Sequence, residues 1–437
     1  MLNLQRLKSL SKGGTWTAVL VLVACLASPA EAARPGTQPP VEEGDSLTWT
    51  MVHNSPGVYW YTMDFPTDDV GYAVGGPDWN VNGGIGSVTV AKTTDGGQTW
   101  TDIAVPNTDR FMRGLACKDA STCWISGAGS PRIQRTTNGG SSWQAGTIVN
   151  NVWTGWLWSA GWTGIGSTAL VGTTGYADEP GRRANFLRTT DGLNFNAVVA
   201  NSPLEFVIYD FSCPTPGHCY AAAKQSAFYT TNNGVTWGRR AVPQGRYYGI
   251  WCTDDSTCWE VGADSGGSGT GTIFIYRTTD GGATWQLADA DPLTGNRTRL
   301  WNVQMVDSQH GYAVGCSNAP DYVLEICQGQ GLIMRTDDGI TWQPIPSPSG
   351  ADIMDLHVFS MSEVLVADWS GKIWRGVGES VPNPYDVNGD GVVNLADLIE
   401  TASHWGATDP ALLQVYDLNH NDLVDIGDIM LIAANMT

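Results

Sequence analysis

Between residues 47 and 377 the chain alternates short β-branched and aromatic runs with polar, glycine-punctuated turns. That pattern predicts strands joined by tight connections. One phrase punctuates it six times. Thr93-Thr94-Asp95-Gly96-Gly97-Gln98-Thr99-Trp100 returns in looser form around Asn138, Asp191, Asn232, Asp280 and Asp338. Successive copies lie about 40 to 57 residues apart, the period of a radial β-repeat. The expected fold is an all-β propeller.

Within a repeat the pattern reads as four strands. In the first they fall at 58–65, 71–75, 88–93 and 99–105, with the Asp95 turn between the third and fourth. Gly71-Tyr72-Ala73-Val74-Gly75 recurs as Gly311-Tyr312-Ala313-Val314-Gly315. An Asp or Asn in the turn accepts hydrogen bonds from backbone N–H groups of that turn, and the next Gly supplies positive φ. The closing Trp or Phe is expected between neighbouring blades. Recurrence in blade after blade makes these aspartates structural rather than catalytic.

A seventh unit, starting at Asp352, lacks both the turn phrase and a fourth strand. Leu47-Thr48-Trp49-Thr50-Met51-Val52 resembles the strand after each turn, so this N-terminal strand is expected to complete the last blade and close the ring. The expectation is a seven-bladed β-propeller over 47–377. The turn phrases and short 1–2 connections should share one face. The long loops 76–87, 173–185, 263–271 and 316–330 should crowd the other, where binding sits on a rigid scaffold. Candidate ligand residues there are Trp60, Trp79, Tyr176, Arg182, Arg183, Trp301 and Tyr322, with Glu179 nearby. The early first-strand position reads Trp60, Met112, Trp153, Ile208, Tyr247, Trp301 and Met354, either an aromatic platform or inter-blade packing.

Residues 1–32 read as an export signal: Arg6, Lys8 and Lys12, then an apolar run too short to span a bilayer, then Ala30-Glu31-Ala32. Leu22-Val23-Ala24-Cys25 also resembles a lipoprotein box, so a secreted and a lipid-anchored fate are both open, the first favoured. Residues 33–46 are a linker. Three positive charges and Glu31 leave with the signal, taking the formal charge from −20 to −22. Such acidity argues against nucleic acid and anionic membranes as partners. No other segment reads as transmembrane. Outside Cys25 there are eight cysteines. Cys117/Cys123, Cys213/Cys219 and Cys252/Cys258 share one spacing, and Cys316/Cys327 remains. Four local disulfides are expected, each stabilising by roughly 2–3 kcal/mol.

After a linker at 378–385 the composition changes. Asp386, Asn388, Asp390, Val392 (by its carbonyl), Asn394 and Asp397 occupy positions 1, 3, 5, 7, 9 and 12 of a calcium loop. Asp417, Asn419, Asn421, Leu423, Asp425 and Asp428 repeat the pattern, with Asp422 in the place of the sixth-position glycine, so the second loop should be more strained. Two Ca2+ ions are the expected cofactors, and 398–404 the helix leaving the first loop.

The duplicated loops, each closed by Asp, resemble a type I dockerin over 386–437, which implies a small helical two-calcium module and a cohesin-like partner. Leu395-Ala396 and Ile426-Gly427 stand where cellulosomal dockerins often carry hydroxyl residues. Residues 47–377 resemble the Asp-box (bacterial neuraminidase repeat) propellers, most of all the photosystem II assembly factor group. That likeness implies a non-enzymatic platform for a protein or carbohydrate ligand. The alternative is a secreted glycoside hydrolase, sialidase-like or xyloglucanase-like, or an accessory protein of polysaccharide degradation. Its carboxyl pair would come from Asp64, Asp210, Asp355, Glu205 and Glu179, and no one pair stands out. No Ser-His-Asp elbow, phosphate loop or zinc signature is present.

Overall fold

In the computed structural model the described residues are 47–77, 85–151, 155–174, 185–200, 207–263, 272–290, 298–317, 329–378, 385–388, 393–419 and 421–435. The strands form seven blades around a channel. Blade 1 is the meander Tyr59–Asp64, Gly71–Gly76, Thr89–Thr93, Thr101–Ala104, and blade 2 repeats it from Met112–Asp119. Blades 4 and 5 depart from four separate strands. His218–Thr230 runs through two strand positions, and Gly238–Cys252 is both the outer strand of blade 4 and the inner strand of blade 5. The two blades therefore share one six-stranded sheet.

Ring closure occurs as expected. Leu47–Asn54 pairs antiparallel with Lys372–Gly378, so the first strand of the chain is the outer strand of blade 7. Its inner edge thereby finds the hydrogen-bonding partners that an exposed strand would lack.

The turn phrase is built around its threonine as much as its aspartate. Thr93 Oγ1 donates to Asp95 Oδ1 (2.7 Å) and accepts from Gly97 N–H (2.9 Å), while Asp95 accepts from the amide and hydroxyl of Thr99. The same bonds recur at Thr278 and Asp280. Gly96 and Gly97 take φ of 68° and 81°, a region closed to most L-residues. Hydrogen bonds from Thr99 hold the Asp95 carboxyl down at about 2, and those from Thr284 do the same for Asp280. Each turn also binds the 1–2 connection of its own blade: Gly96 N–H to Asp69 O, Gly139 N–H to Ser121 O, Gly281 N–H to Ser256 O, each 2.9 Å. Turn phrases and 1–2 connections therefore share a face. Disulfides Cys117–Cys123, Cys213–Cys219 and Cys252–Cys258 clip three of those connections. Cys316 is also disulfide-bonded, and Cys327 lies outside the described residues.

Blades are sealed by burial and by polar latches. Trp100 packs with Leu365, Ala367 and Ile373 of blade 7; Trp237 and Trp342 do the same one blade back from their own. The second-strand aromatic reaches forward instead. Tyr72 OH donates to Ala120 O, Trp124 Nε1 to Gly192 O, Tyr220 OH to Asp255 O, Trp259 Nε1 to Gly339 O and Tyr312 OH to Met361 O. Each bond ends on a connection of the next blade, which explains the Tyr of the Gly-Tyr-Ala-Val-Gly strands.

Among the described residues the C-terminal segment holds three helices: α1 (Leu395–Ser403), α2 (Pro410–Tyr416) and α3 (Ile426–Ala434). Helix α1 begins three residues before its expected start. Asn394 caps it by accepting from Ala396 N–H, and Asp397 reaches back to Asn394 N–H at 2.8 Å, a capping box. Asp425 and Asp428 build the same box on α3. Val393, Leu398, Ile429 and Ile432 form the small core of this segment.

Candidate functional site

Every inner strand carries a β-bulge at the same place. The register shifts between Trp60 and Thr62, Met112 and Gly114, Leu157 and Ser159, Ile208 and Asp210, Tyr247 and Gly249, Leu300 and Asn302, and Ile353 and Asp355. A bulge leaves one residue out of the ladder and re-aims its side chain. The seven bulge residues are Tyr61, Arg113, Trp158, Tyr209, Tyr248, Trp301 and Met354, and all seven line one cavity of about 90 Å3 in the channel.

These side chains form a collar. Trp158 meets Tyr209 edge-on (centroids 5.5 Å), Tyr209 meets Tyr248 (4.8 Å), and Tyr248 meets Trp301 (4.7 Å). The Arg113 guanidinium lies over both Tyr61 (4.9 Å) and Trp158 (4.2 Å), bridging the side where no aromatic pair closes the circle. Arg299 backs Tyr248 and Trp301 in the same way. Arg113, Trp158 and Tyr209 keep exposed surface, whereas Tyr61, Tyr248, Trp301 and Met354 are buried. The accessible arc is thus on blades 2 to 4.

Below the collar the wall turns polar, because the channel edge of each inner strand has N–H groups with no ladder partner. The side chains supply one. Asp355 accepts from Met63 N–H (2.6 Å), Asp64 from Cys117 N–H (2.6 Å), Asp210 from Ile250 N–H (3.0 Å), and Gln304 from Val358 N–H (2.8 Å), each on the next blade. Burial raises all three carboxyls, Asp64 to about 7, Asp210 to about 8 and Asp355 to about 6, and the charge of Asp355 adds to the first two. Asp64 and Asp210 keep some surface on the channel, yet the wall around them is dense enough for desolvation to dominate. The three carboxyls and Asn302 face a second, larger chamber of about 280 Å3, which continues toward the turn-phrase face past Phe65, Trp162, Trp251 and His357. His357 stacks on Phe65 (4.1 Å), and burial lowers it to about 4.

The candidate ligand residues separate under this geometry. Trp301 is in the collar. Trp60 is fully buried between blades 7 and 1, so it presents no platform. It shares its register with Met112, Leu157, Ile208, Tyr247, Leu300 and Ile353, not with Trp153, Trp301 or Met354. In blades 6 and 7 the expected position falls one residue late, on the bulge residue itself. Trp79, Tyr176, Arg182, Arg183 and Tyr322 lie outside the described residues, as do Trp153, Glu179 and Glu205. Sequence reasoning missed Tyr61, Arg113, Trp158, Tyr209 and Tyr248, since nothing in a strand pattern marks a bulge.

A Ser, His and Asp do meet elsewhere. His53 Nε2 lies 2.8 Å from Asp102 Oδ1 and 3.0 Å from Ser55 Oγ, and Ser55 also donates to Asp102. A catalytic relay needs the two partners on different ring nitrogens. Both use Nε2 here, so the cluster is a clasp between the closing strand and the outer strand of blade 1.

In the C-terminal segment Asp397 and Asp428 are fully buried and Asp417 nearly so, each turned onto backbone N–H groups of its own loop. Asp422 has φ of 65°, the strained conformation expected where the first loop has glycine. Asp390 and Val392 lie outside the described residues. Among the described residues no three acidic, His or Cys side chains converge as a metal cage.

No family model matches the chain, and no curated protein matches it. Among solved structures it resembles YCF48 bound to D1 peptide (TM-score 0.54, 17% identity, covering 80% of this chain and 99% of that one). It also resembles YCF48 from Cyanidioschyzon merolae (0.53, 18%, 75% and 98%) and a streptogramin B lyase (0.55, 12%, 77% and 100%). These likenesses show the propeller fold.

Proposed function

We propose that the chain is a non-enzymatic recognition platform whose channel-mouth collar seats a segment of a protein partner. The observation that carries this reading is the collar itself: one bulge residue from each blade, all converging on one cavity. Its open arc offers two aromatic faces and the Arg113 guanidinium, a surface for an extended peptide bearing an acidic or carboxylate group. YCF48 has been solved with a peptide bound, which supports a peptide ligand on this fold. Hydrolysis of a glycosidic bond is the weaker reading, because Asp64, Asp210 and Asp355 are each engaged by a backbone N–H of the next blade.

The C-terminal module, on the same reading, is a dockerin-like calcium-dependent tether of an exported protein. Its donors are oxygen only, as calcium requires, and its closing carboxylates are buried beside the loops. Asp386, Asn388, Asp390, the Val392 carbonyl, Asn394 and Asp397 would hold one ion. Asp417, Asn419, Asn421, the Leu423 carbonyl, Asp425 and Asp428 would hold the other. Calcium would cross-link each loop and fix the helix that leaves it.

Panning a random-peptide library on the purified chain tests the platform. Enriched peptides should lose at least about tenfold in affinity to Trp158→Ala and to Arg113→Ala, roughly 1.4 kcal/mol or more. Binding indifferent to both substitutions sinks the collar reading. Calorimetric titration with Ca2+ tests the module, with Asp397→Ala and Asp428→Ala each expected to remove one site.

A further inference from the structure

An uncovered sheet edge is a template for another strand, and folded proteins blunt such edges with charge, shortness, proline or a covering segment. The outer edges of blades 1 to 6 are blunted in these ways. Thr101–Ala104 of blade 1 is four residues long and carries Asp102, and the blade 4 edge carries Arg239 and Arg240. Blades 2 and 5 end in strands of two residues, Gln144–Ala145 and Gln286–Leu287. In blades 3 and 6 the incoming crossing lies parallel on the outer strand, Thr147–Ile148 on Asn194–Val198 and Asp289–Ala290 on Thr341–Ile345.

Blade 7 departs from this. Leu47–Asn54 is eight residues long and holds no Asp, Glu, Lys, Arg or Pro. Among the described residues it pairs only on its Lys372–Gly378 side. Its register shift, between Met51 and His53, leaves Leu47–Met51 regular, and the clasp to Asp102 engages only the far end. Alternate residues of a strand turn N–H and C=O away from the ladder. No backbone group among the described residues bonds that side of Leu47–Met51, where Thr48, Thr50 and Met51 are exposed.

We propose that this edge is a homotypic interface, on which Leu47–Met51 of a second copy of the chain lies antiparallel about a two-fold axis. The seam joins the two four-stranded blades into one continuous sheet. A formal charge of −20 sets most of this chain's surface against its own copy, and the uncharged strand is where that repulsion is weakest. A register centred on Trp49 sets Thr48 opposite Thr50, a favourable cross-strand pair. Such a two-fold contact is closed and stops at a dimer. Residues 33–46 of the same chain are a poorer cover, because Pro35, Pro39 and Pro40 have no N–H to give a ladder. The proposal does not depend on the peptide reading of the collar.

Sedimentation velocity on the purified chain at physiological salt tests it. A monomer–dimer equilibrium is expected, with Kd of about 1–100 μM. Thr50→Lys puts a charge on each side of the seam and should weaken dimerisation at least about tenfold without lowering the melting temperature. Thr48→Lys should do the same and stands in if Thr50→Lys misfolds. Leu287→Lys, on the blade 5 edge, should leave Kd unchanged. Hydrogen exchange should show the amides of 47–51 gaining protection as concentration rises. The proposal is overturned if the chain stays monomeric up to about 200 μM, or if its dimer survives both lysine substitutions. In a monomer, fast exchange of half the 47–51 amides would leave the edge to a strand of another protein. Full protection at every concentration would mean that this chain covers it, and either result also refutes the dimer.

Discussion

Glu260 is the residue most at odds with its surroundings. It is fully buried in the second strand of blade 5, and neither carboxylate oxygen has a hydrogen-bond partner. The equivalent positions of the other blades hold Ala73, Ile125, Val171, Ala221, Ala313 and Val366. Burial pushes its carboxyl well above the usual range, so it is kept neutral rather than charged. Glu260→Leu should therefore stabilise the propeller by about 1–3 kcal/mol, read as a higher midpoint in denaturant. A lower midpoint would show that the carboxyl has a purpose the static packing hides. Asp422 poses the opposite case, a backbone problem with a useful side chain nowhere in evidence. Asp422→Gly should relieve its left-handed conformation by about 1 kcal/mol and, if the second loop takes calcium as proposed, tighten that binding in a titration of the chain.

At the scale of elements, one strand decides whether the ring exists. Leu47–Asn54 covers Lys372–Gly378 and brings His53 and Ser55 onto Asp102 of blade 1. Deleting 47–54 should expose that strand edge and produce aggregates or exchanged dimers on size-exclusion chromatography. A monomer of unchanged melting temperature would refute the closure argument. The forward latches from Tyr72, Trp124, Tyr220, Trp259 and Tyr312 are individually weaker, and each hydrogen bond contributes only about 0.5–1.5 kcal/mol. Their value lies in repetition, since each joins two blades at the same height.

For the whole molecule, two sets of aspartates pull stability in opposite directions with pH. Asp95 and Asp280 have folded pKa values of about 2, below the ordinary 3.8. Their contribution is present above pH 3.8 and is lost as pH falls toward 2. Asp64, Asp210 and Asp355 have folded values of about 7, 8 and 6. Between pH 3.8 and 8 the folded state holds protons that the unfolded chain has released, so stability falls as pH rises through that window. The denaturant midpoint should therefore be lower at pH 8.5 than at pH 5. Asp210→Asn, which keeps an acceptor for Ile250 N–H, should shrink the difference. A flat profile in the parent chain would mean that the channel solvates these carboxyls better than its walls suggest.

The sequence alone determined the propeller, its seven blades, the closing strand and the face that carries the turns. Each of these arises from local chemistry repeated at a fixed period: a Thr and Asp that fold their own turn, a Gly that permits it, a Trp that must be buried. Only the tertiary structure decided what surrounds the channel. The collar residues Tyr61, Arg113, Trp158, Tyr209, Tyr248, Trp301 and Met354 are of four types with no one residue common to all blades, and a bulge breaks the strand period just where they stand. In sequence Asp64, Asp210 and Asp355 stood out only as candidate members of a carboxyl pair, with no one pair preferred. Their protonation is set by burial beside one another, contributed by three different blades, and that environment comes into being only when the ring closes.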